Sequence, residues 1–297
     1  MKFSLKRCAL TGPFNEPRVA ESAQLLVADL QRRGIEVLVA AEEAKPLSAT
    51  GLQALPRTEL LSRAELLISI GGDGTLLQAA RAAAAHDVPV LGINRGRLGF
   101  LTDVLPQEMS ASVDALLEGR CTSDRRALLA ARLLRADGRQ IEQLALNDVV
   151  LLRRETGRML DFETRVSGSY VNSHSGDGFV VATATGSTAY ALSCGGPIVD
   201  PKLNILVMVP ICPHTLSDRP IVVPGDSAIE INLQPHGEAR ADVTYDGTHL
   251  GDMGPGDRLL ISASGSFVTL LHPPGYDYFR LLRSKLRWGR GADQHER

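Results

Sequence analysis

The chain has 297 residues, 44% hydrophobic and 22% charged, with a formal net charge of −2. This excludes a wholly disordered chain and leaves room for two domains, each with its own core. A near-neutral charge argues against a general electrostatic grip on nucleic acid, and no apolar run reaches the roughly 20 residues that span a bilayer, so neither nucleic acid nor membrane is an expected partner.

The apolar run Arg7 to Leu10 reads as a strand that stops at Thr11-Gly12-Pro13. Val19, Ala23, Leu26, Val27 and Leu30 then recur at helical spacing, Gly34 follows as a cap, and Ile35 to Ala40 returns to strand. Leu66 to Ile70 is a further strand, running into Gly71-Gly72-Asp73-Gly74-Thr75 and an Ala/Leu-rich helix from Leu76 to Ala85. Val88 to Ile93 and Met109 to Leu117 add a strand and a helix, so the first part predicts a doubly wound α/β sheet.

After about Cys121 the pattern shortens. Leu128 to Leu134 and Ile141 to Leu146 flank the turn Ala136-Asp137-Gly138-Arg139, which is hairpin chemistry. Strand-like pieces continue at Phe162–Val166, Phe179–Ala182, Ile205–Val209, Ala228–Leu233, Arg258–Ser262 and Phe267–Leu271, divided by Gly, Pro and Asp turns. The amphipathic stretch Tyr276 to Leu286 suits a helix packing back on the first domain. The predicted division is residues 1–123, 124–274 and 275–297. Cys8, Cys121, Cys194 and Cys212 form no C-x-x-C pair and no zinc spacing with histidine, so free thiols are expected and no metal-ligating set is predicted. With no charged-then-apolar leader at the start, a cytoplasmic protein is expected.

Chemistry concentrates at two places. In Gly71-Gly72-Asp73-Gly74-Thr75, the glycines let backbone N–H groups approach phosphate oxygens, and the following helix aims the positive end of its dipole at them. The motif is neither a Walker-type loop nor a dinucleotide G-x-G-x-x-G fingerprint. A carboxylate among phosphates costs repulsion unless it contacts a metal ion or accepts a proton from an attacking hydroxyl, so Asp73 is the candidate base; the plain alternative is an Asp capping the helix. The second place is Asp177-Gly178, a short strand, then Thr185-Gly186-Ser187-Thr188-Ala189-Tyr190, where Ser187 and Thr188 would cap a helix and Tyr190 offers a ring with a polar tip. Asn147-Asp148 reads equally as an exposed turn or as part of a site. His214 reads as a structural, hydrogen-bonding histidine, and Arg125-Arg126 and Arg153-Arg154 as solvated faces.

These motifs, in this order, resemble the NAD kinase family: Gly71 to Thr75, Asn147-Asp148, Asp177-Gly178, Thr185 to Tyr190 with Gly195-Gly196-Pro197, and His214 to Pro220. Gly92-Ile93-Asn94, Gly99-Phe100-Leu101 and Lys285 to Gly289 are similar to it too, so the resemblance covers nearly the whole chain. It implies a Rossmann-like, phosphofructokinase-like α/β N-terminal domain, a mainly β C-terminal domain, and transfer of a phosphoryl group from ATP, with Mg²⁺ or another divalent metal ion, to NAD. It also implies a homodimer or homotetramer. Carried over by position, the resemblance makes Asp73 the catalytic proton acceptor and Gly71, Gly72, Gly74 and Thr75 the phosphate-binding run. Asp73, Gly74, Asn147, Asp148, Arg158, Ser175, Asp177, Thr188, Ala189, Tyr190, Ala191, Leu192, Ser193 and Thr248 become NAD-binding residues. The chain departs from the family at Ala184, often proline, at Thr248, often glutamine, and at Ser175, where relatives often carry a basic residue; the last is expected to alter discrimination between NAD and NADH. The competing readings are a diacylglycerol- or sphingosine-type lipid kinase, which should carry a membrane-facing segment, and a silent dinucleotide-binding regulator, which should lack Asp73.

Overall fold

The computed structural model describes residues 5–47, 51–96, 99–154, 159–234 and 240–288. The chain divides into two compact units, Met1–Asp124 with Thr269–Arg297, and Arg125–Val268.

The first unit alternates strands and helices: β1 (Arg7–Thr11), α1 (Pro17–Arg32), β2 (Glu36–Ala40), α2 (Ala41–Ala44), β3 (Leu52–Leu55), α3 (Arg57–Arg63), β4 (Leu66–Gly71), α4 (Asp73–Ala84), β5 (Val90–Asn94) and α5 (Met109–Leu117). The strands run parallel in the order β3-β2-β1-β4-β5. Every residue of β4 and β5 is buried, as expected of central parallel strands covered on both faces. The periodic residues of α1, Val19, Ala23, Leu26, Val27 and Leu30, pack with Leu10, Ile68 and Leu91, and Gly34 takes φ +76° just beyond the helix. Strand order reverses between β1 and β4, so the carboxyl end of β4, where the glycine motif begins, lies at the switch point where ligands bind in open α/β sheets.

The second unit comprises most of β6 (Thr122–Leu134), then β7 (Gln140–Ala145), β8 (Asp148–Arg153), β9 (Leu160–Val166), β10 (Ser169–Gly176), β11 (Gly178–Thr183), the single-turn α6 (Tyr190–Ser193), β12 (Ile205–Ile211), β13 (Ile221–Pro224), β14 (Ile229–Leu233), β15 (Ala241–Tyr245), β16 (Thr248–Met253) and the first part of β17 (Arg258–His272). One antiparallel sheet has the order β13-β12-β11-β8-β15-β16; the other strands pair as β10-β9-β14-β17, with β6 joining β17 and β7. Alternating inward residues of both sets, among them Leu129, Leu151, Phe162, Phe179, Val181, Ile231, Val243 and Leu259, form one core.

Two expectations change here. The pieces 258–262 and 267–271 are one strand, β17, because Gly265 takes φ +76° within the ladder and does not end it. The β-rich part, which the sequence pattern runs to 274, gives up its last residues to the first unit, where Leu270 pairs in parallel with Val90. There α7 (Tyr278–Leu286) begins at Asp277, whose carboxylate accepts the N–H groups of Phe279 and Arg280. It buries Leu281 and Leu282, and the Lys285 ammonium sits 5.9 Å from the centre of the Phe100 ring. Among the described residues no helix is long and apolar enough to cross a membrane.

Candidate active site

Asp73 is the first residue of α4, and its side chain does not cap the helix. It turns instead to the segment after β5. Oδ2 accepts the N–H of Phe100 at 2.7 Å, while Oδ1 accepts the N–H groups of Leu101 and Thr102 at 3.2 and 3.1 Å and the Thr102 hydroxyl at 3.0 Å. Asn94, at the end of β5, donates to that hydroxyl at 2.7 Å, and both residues are buried. A carboxylate has about four acceptor positions, so among the described residues Oδ2 keeps one open. The capping alternative is therefore set aside: this geometry fixes the carboxylate in place and leaves it able to take one more donor.

The glycines around it differ in role. A Cβ on Gly71 would stand 2.4 Å from Thr75 Oγ1, so Gly71 is required for the turn to close. Gly72 and Gly74 are exposed with nothing near a would-be Cβ, and their backbone is open to a phosphate at the start of a 12-residue helix. Thr75 is half-buried.

In the second unit, Asn147-Asp148 is no exposed turn: Asp148 opens the central strand β8 and is 4% exposed. The carbonyl of Asn147 accepts the N–H of Thr183 at 2.8 Å and lies 2.0 Å from where a Cβ on Gly186 would be. The Thr183 hydroxyl donates to Leu146 O at 2.6 Å and accepts the N–H of Gly186 at 3.1 Å. Two motifs far apart in sequence thus lock together, and Gly186 is glycine because the Asn147 backbone occupies the space of a side chain. From the turn between β15 and β16, the Asp246 carboxylate accepts the N–H groups of Leu146, Asn147 and Asp148 at 2.9, 2.7 and 3.2 Å. Burial pushes the Asp148 carboxyl up to about 7; the Asp246 charge adds to this, and an N–H from Tyr190 works against it.

The run Thr185 to Ser193 is a 3₁₀ turn, Thr185–Thr188, followed by α6, and neither hydroxyl caps a helix. Ser187 is fully buried; it donates to Ala184 O at 2.7 Å and accepts the N–H of Val199 at 3.0 Å, which makes it a tie between two loops. Thr188, Ala189, Leu192 and Ser193 are partly or fully exposed, Tyr190 is 41% exposed, and Ala191 is buried in an apolar cluster with Val180 and Val207. Asp177 is paired with Arg153 at 2.8 Å, so Arg153 is no idle solvated charge; Arg154 pairs with Asp252. Ser175 lies on β10, and its carbonyl accepts the N–H of His214 at 2.8 Å. Thr248 is exposed at the start of β16. Arg158 lies outside the described residues.

Other readings are corrected by burial. His214 is exposed; the structural histidine is His174, buried between Phe162 and Phe179, with Nδ1 2.6 Å from Asp218 and Nε2 2.9 Å from Thr164 Oγ1. Arg126 is 3% exposed with Nη1 3.1 Å from Thr185 Oγ1, so it is not a solvated face; Arg125 is exposed, as expected, with its guanidinium 3.7 Å over the Phe267 ring. Asp242, His249 and Asp252 bring possible metal-ligand atoms within 4.8 Å of one another, but Asp252 already has Arg154 as its cation. Asn94, read only as part of the Gly92-Ile93-Asn94 run, and Asp246 and Thr102 were given no role by the sequence; the turn pair Asp246-Gly247 is the signal for Asp246.

Residues 52–121 match the model of the ATP-NAD kinase N-terminal domain, and residues 146–272 match that of the ATP-NAD kinase C-terminal domain. An NAD kinase of Aromatoleum aromaticum is 43% identical over 97% of this chain and 96% of its own. The chain belongs to the NAD kinase family. An NAD kinase of Methylococcus capsulatus is 45% identical over 97% of this chain and 99% of its own. Among solved structures, yeast NADH kinase complexed with NADH has a TM-score of 0.87 at 25% identity, covering 96% of this chain and 88% of that one. An NAD kinase from Archaeoglobus fulgidus in complex with ATP has a TM-score of 0.74 at 28% identity, covering 95% and 98%. These NAD kinase matches give the lipid-kinase and silent-regulator readings no support.

Proposed function

We propose that this NAD kinase transfers the terminal phosphoryl group of ATP to the 2′-hydroxyl of the adenosine ribose of NAD, with Asp73 as the residue that orients that hydroxyl and takes its proton. The observation that carries this reading is the Asp73 carboxylate, held by residues 100–102 with an acceptor position left on Oδ2, beside the open backbone of Gly72 and Gly74. In the step, ribose O2′ forms a bond to the γ-phosphorus as the bond from that phosphorus to the β,γ-bridging oxygen breaks. ADP leaves with the electron pair, and the ribose proton passes to Asp73. Because phosphoryl transfer runs through a loose transition state, positioning does most of the work and the proton moves late. The Gly71 to Thr75 turn would receive the phosphates, and a divalent ion bound with ATP would spread their charge. Asn147, Asp148, Asp177 and the run Thr188 to Ser193 hold the dinucleotide, joined by Ser175, Thr248 and Arg158. A cytoplasmic homodimer or homotetramer completes the reading.

Purified protein incubated with NAD, γ-labelled ATP and Mg²⁺ should place label in NADP, and none in diacylglycerol or sphingosine offered in parallel. Label in lipid with none in NADP would replace this reading with the lipid kinase.

A further inference from the structure

Asp246 is assigned no role by the resemblance, yet its carboxylate accepts three backbone N–H groups of the Leu146 to Asp148 segment. It sits at φ +44°, followed by Gly247 at φ +73°, as the two-residue turn that joins the paired residues Tyr245 and Thr248. Asp, Asn and Gly all suit the first position of that turn, so the turn alone does not call for a carboxylate. The carboxylate does more: its two oxygens collect three successive N–H groups, from Leu146 to Asp148, and its own N–H donates to Asp148 O at 3.0 Å. Three adjacent donors converging on one point need an acceptor with two oxygens and a negative charge.

We infer that Asp246 is a positioning residue of the dinucleotide site, which fixes the backbone from which Asn147 and Asp148 reach NAD and sets the charge environment of the Asp148 carboxyl. The inference rests on the reading of Asn147 and Asp148 as NAD-binding residues. Two roles are combined in one side chain. The hydrogen bonds pin the start of β8 to the β15–β16 turn, and the like charge beside buried Asp148 makes that carboxyl hold its proton longer. Among the described residues, the other groups facing Asp148 are the Tyr190 N–H, which favours its ionised form, and the Cys194 thiol at the end of α6. An ionised Asp148 is the better acceptor for sugar hydroxyls, so Asp246 tunes the pH above which NAD binds well.

Asp246→Asn removes the charge and turns an NH₂ group toward at least one of the three N–H groups, loosening the Asn147-Asp148 backbone, while Asn still adopts positive φ readily. KM for NAD should rise by about tenfold, with KM for ATP and kcat at saturating NAD within about twofold. KM for NAD falls as pH rises through the Asp148 ionisation, and in Asp246→Asn that fall should come at lower pH than in the native enzyme. A residue that merely stabilises the fold would leave the turning pH where it is. Asp246→Ser, which keeps a short acceptor without the charge, gives the same shift and serves if the Asn variant does not fold. An unmoved turning pH, or equal rises in both KM values, overturns the inference. Asp148→Ala run alongside separates the two claims: if it leaves KM for NAD unchanged, the reading of Asp148 as an NAD-binding residue has failed; if it raises KM while the Asp246 variants behave as native, the inference about Asp246 has failed.

Discussion

Gly99 lies so close to the Asp73 carboxylate that a Cβ on it would stand 1.7 Å from Oδ1. The neighbouring N–H groups of Phe100, Leu101 and Thr102 all point at that carboxylate, so a side chain at 99 must displace the group the reaction depends on. In Gly99→Ala, kcat should fall by about 10²-fold, as misplacement of about 1 Å does elsewhere, while KM for NAD changes little. Steady-state kinetics with NAD varied would measure it; a native kcat would mean the Asp73 carboxylate can shift without consequence.

Asp73→Asn is expected to act on two levels. The amide cannot take a proton from the ribose hydroxyl, so kcat should drop by at least about 10²-fold. Its NH₂ group must also face at least one N–H that the carboxylate now satisfies, which costs about 1–3 kcal/mol of stability. Turnover and melting temperature report these separately, and a variant with native kcat would remove Asp73 from the chemistry.

Asp148 carries one prediction for stability against pH and one for NAD binding. Its folded-state pKa, about 7, lies above the ordinary value of 3.8, so its contribution to stability is fully present below about 3.8 and is lost as pH rises toward and through 7. The ligand-free protein should therefore melt at lower temperature as pH rises through that window, less steeply in Asp148→Asn. Asp148→Ala should raise KM for NAD roughly ten- to hundredfold, with KM for ATP little affected, by loss of a charged contact. Thermal melts from pH 4 to 8 and kinetics with each substrate varied test both.

His272 makes the same kind of statement for the first unit. Burial works to lower its pKa, but hydrogen bonds and charges from Asp103 and Asp124, with Nδ1 2.8 Å from Asp103 Oδ2, outweigh it and hold the imidazole above its ordinary value of 6.5. This stabilisation is present below 6.5 and lost as pH rises through the raised value. In His272→Gln the decline of melting temperature with pH above 6.5 should flatten, and an unchanged slope would mean that His272 does not titrate there. Tyr276 stacks on the ring at 3.8 Å, so the substitution should also loosen the approach to α7.

The alternation of elements and the family motifs were legible along the chain because each rests on short-range rules. The 3.6-residue spacing of Val19 to Leu30 marks α1 wherever it packs, and a Gly-rich turn between a buried strand and an alanine-rich helix marks a phosphate-type junction. The short strands β13, β15 and β16 had no such signal, since their pattern is that of half-buried edges and hairpins. Partners were hidden as well. That Asp73 reaches residues 100–102 instead of capping its own helix, that Ser187 ties loops together, and that Arg126 is buried depend on contacts across 29, 12 and 59 positions of sequence separation. A residue type states what a side chain can bond to, and its local spacing states which helix or strand it joins. Which donor meets which acceptor is set by how distant segments pack, and so the tie from Asp246 to Asn147, 99 residues apart in the chain, exists only once β8 and β15 lie side by side.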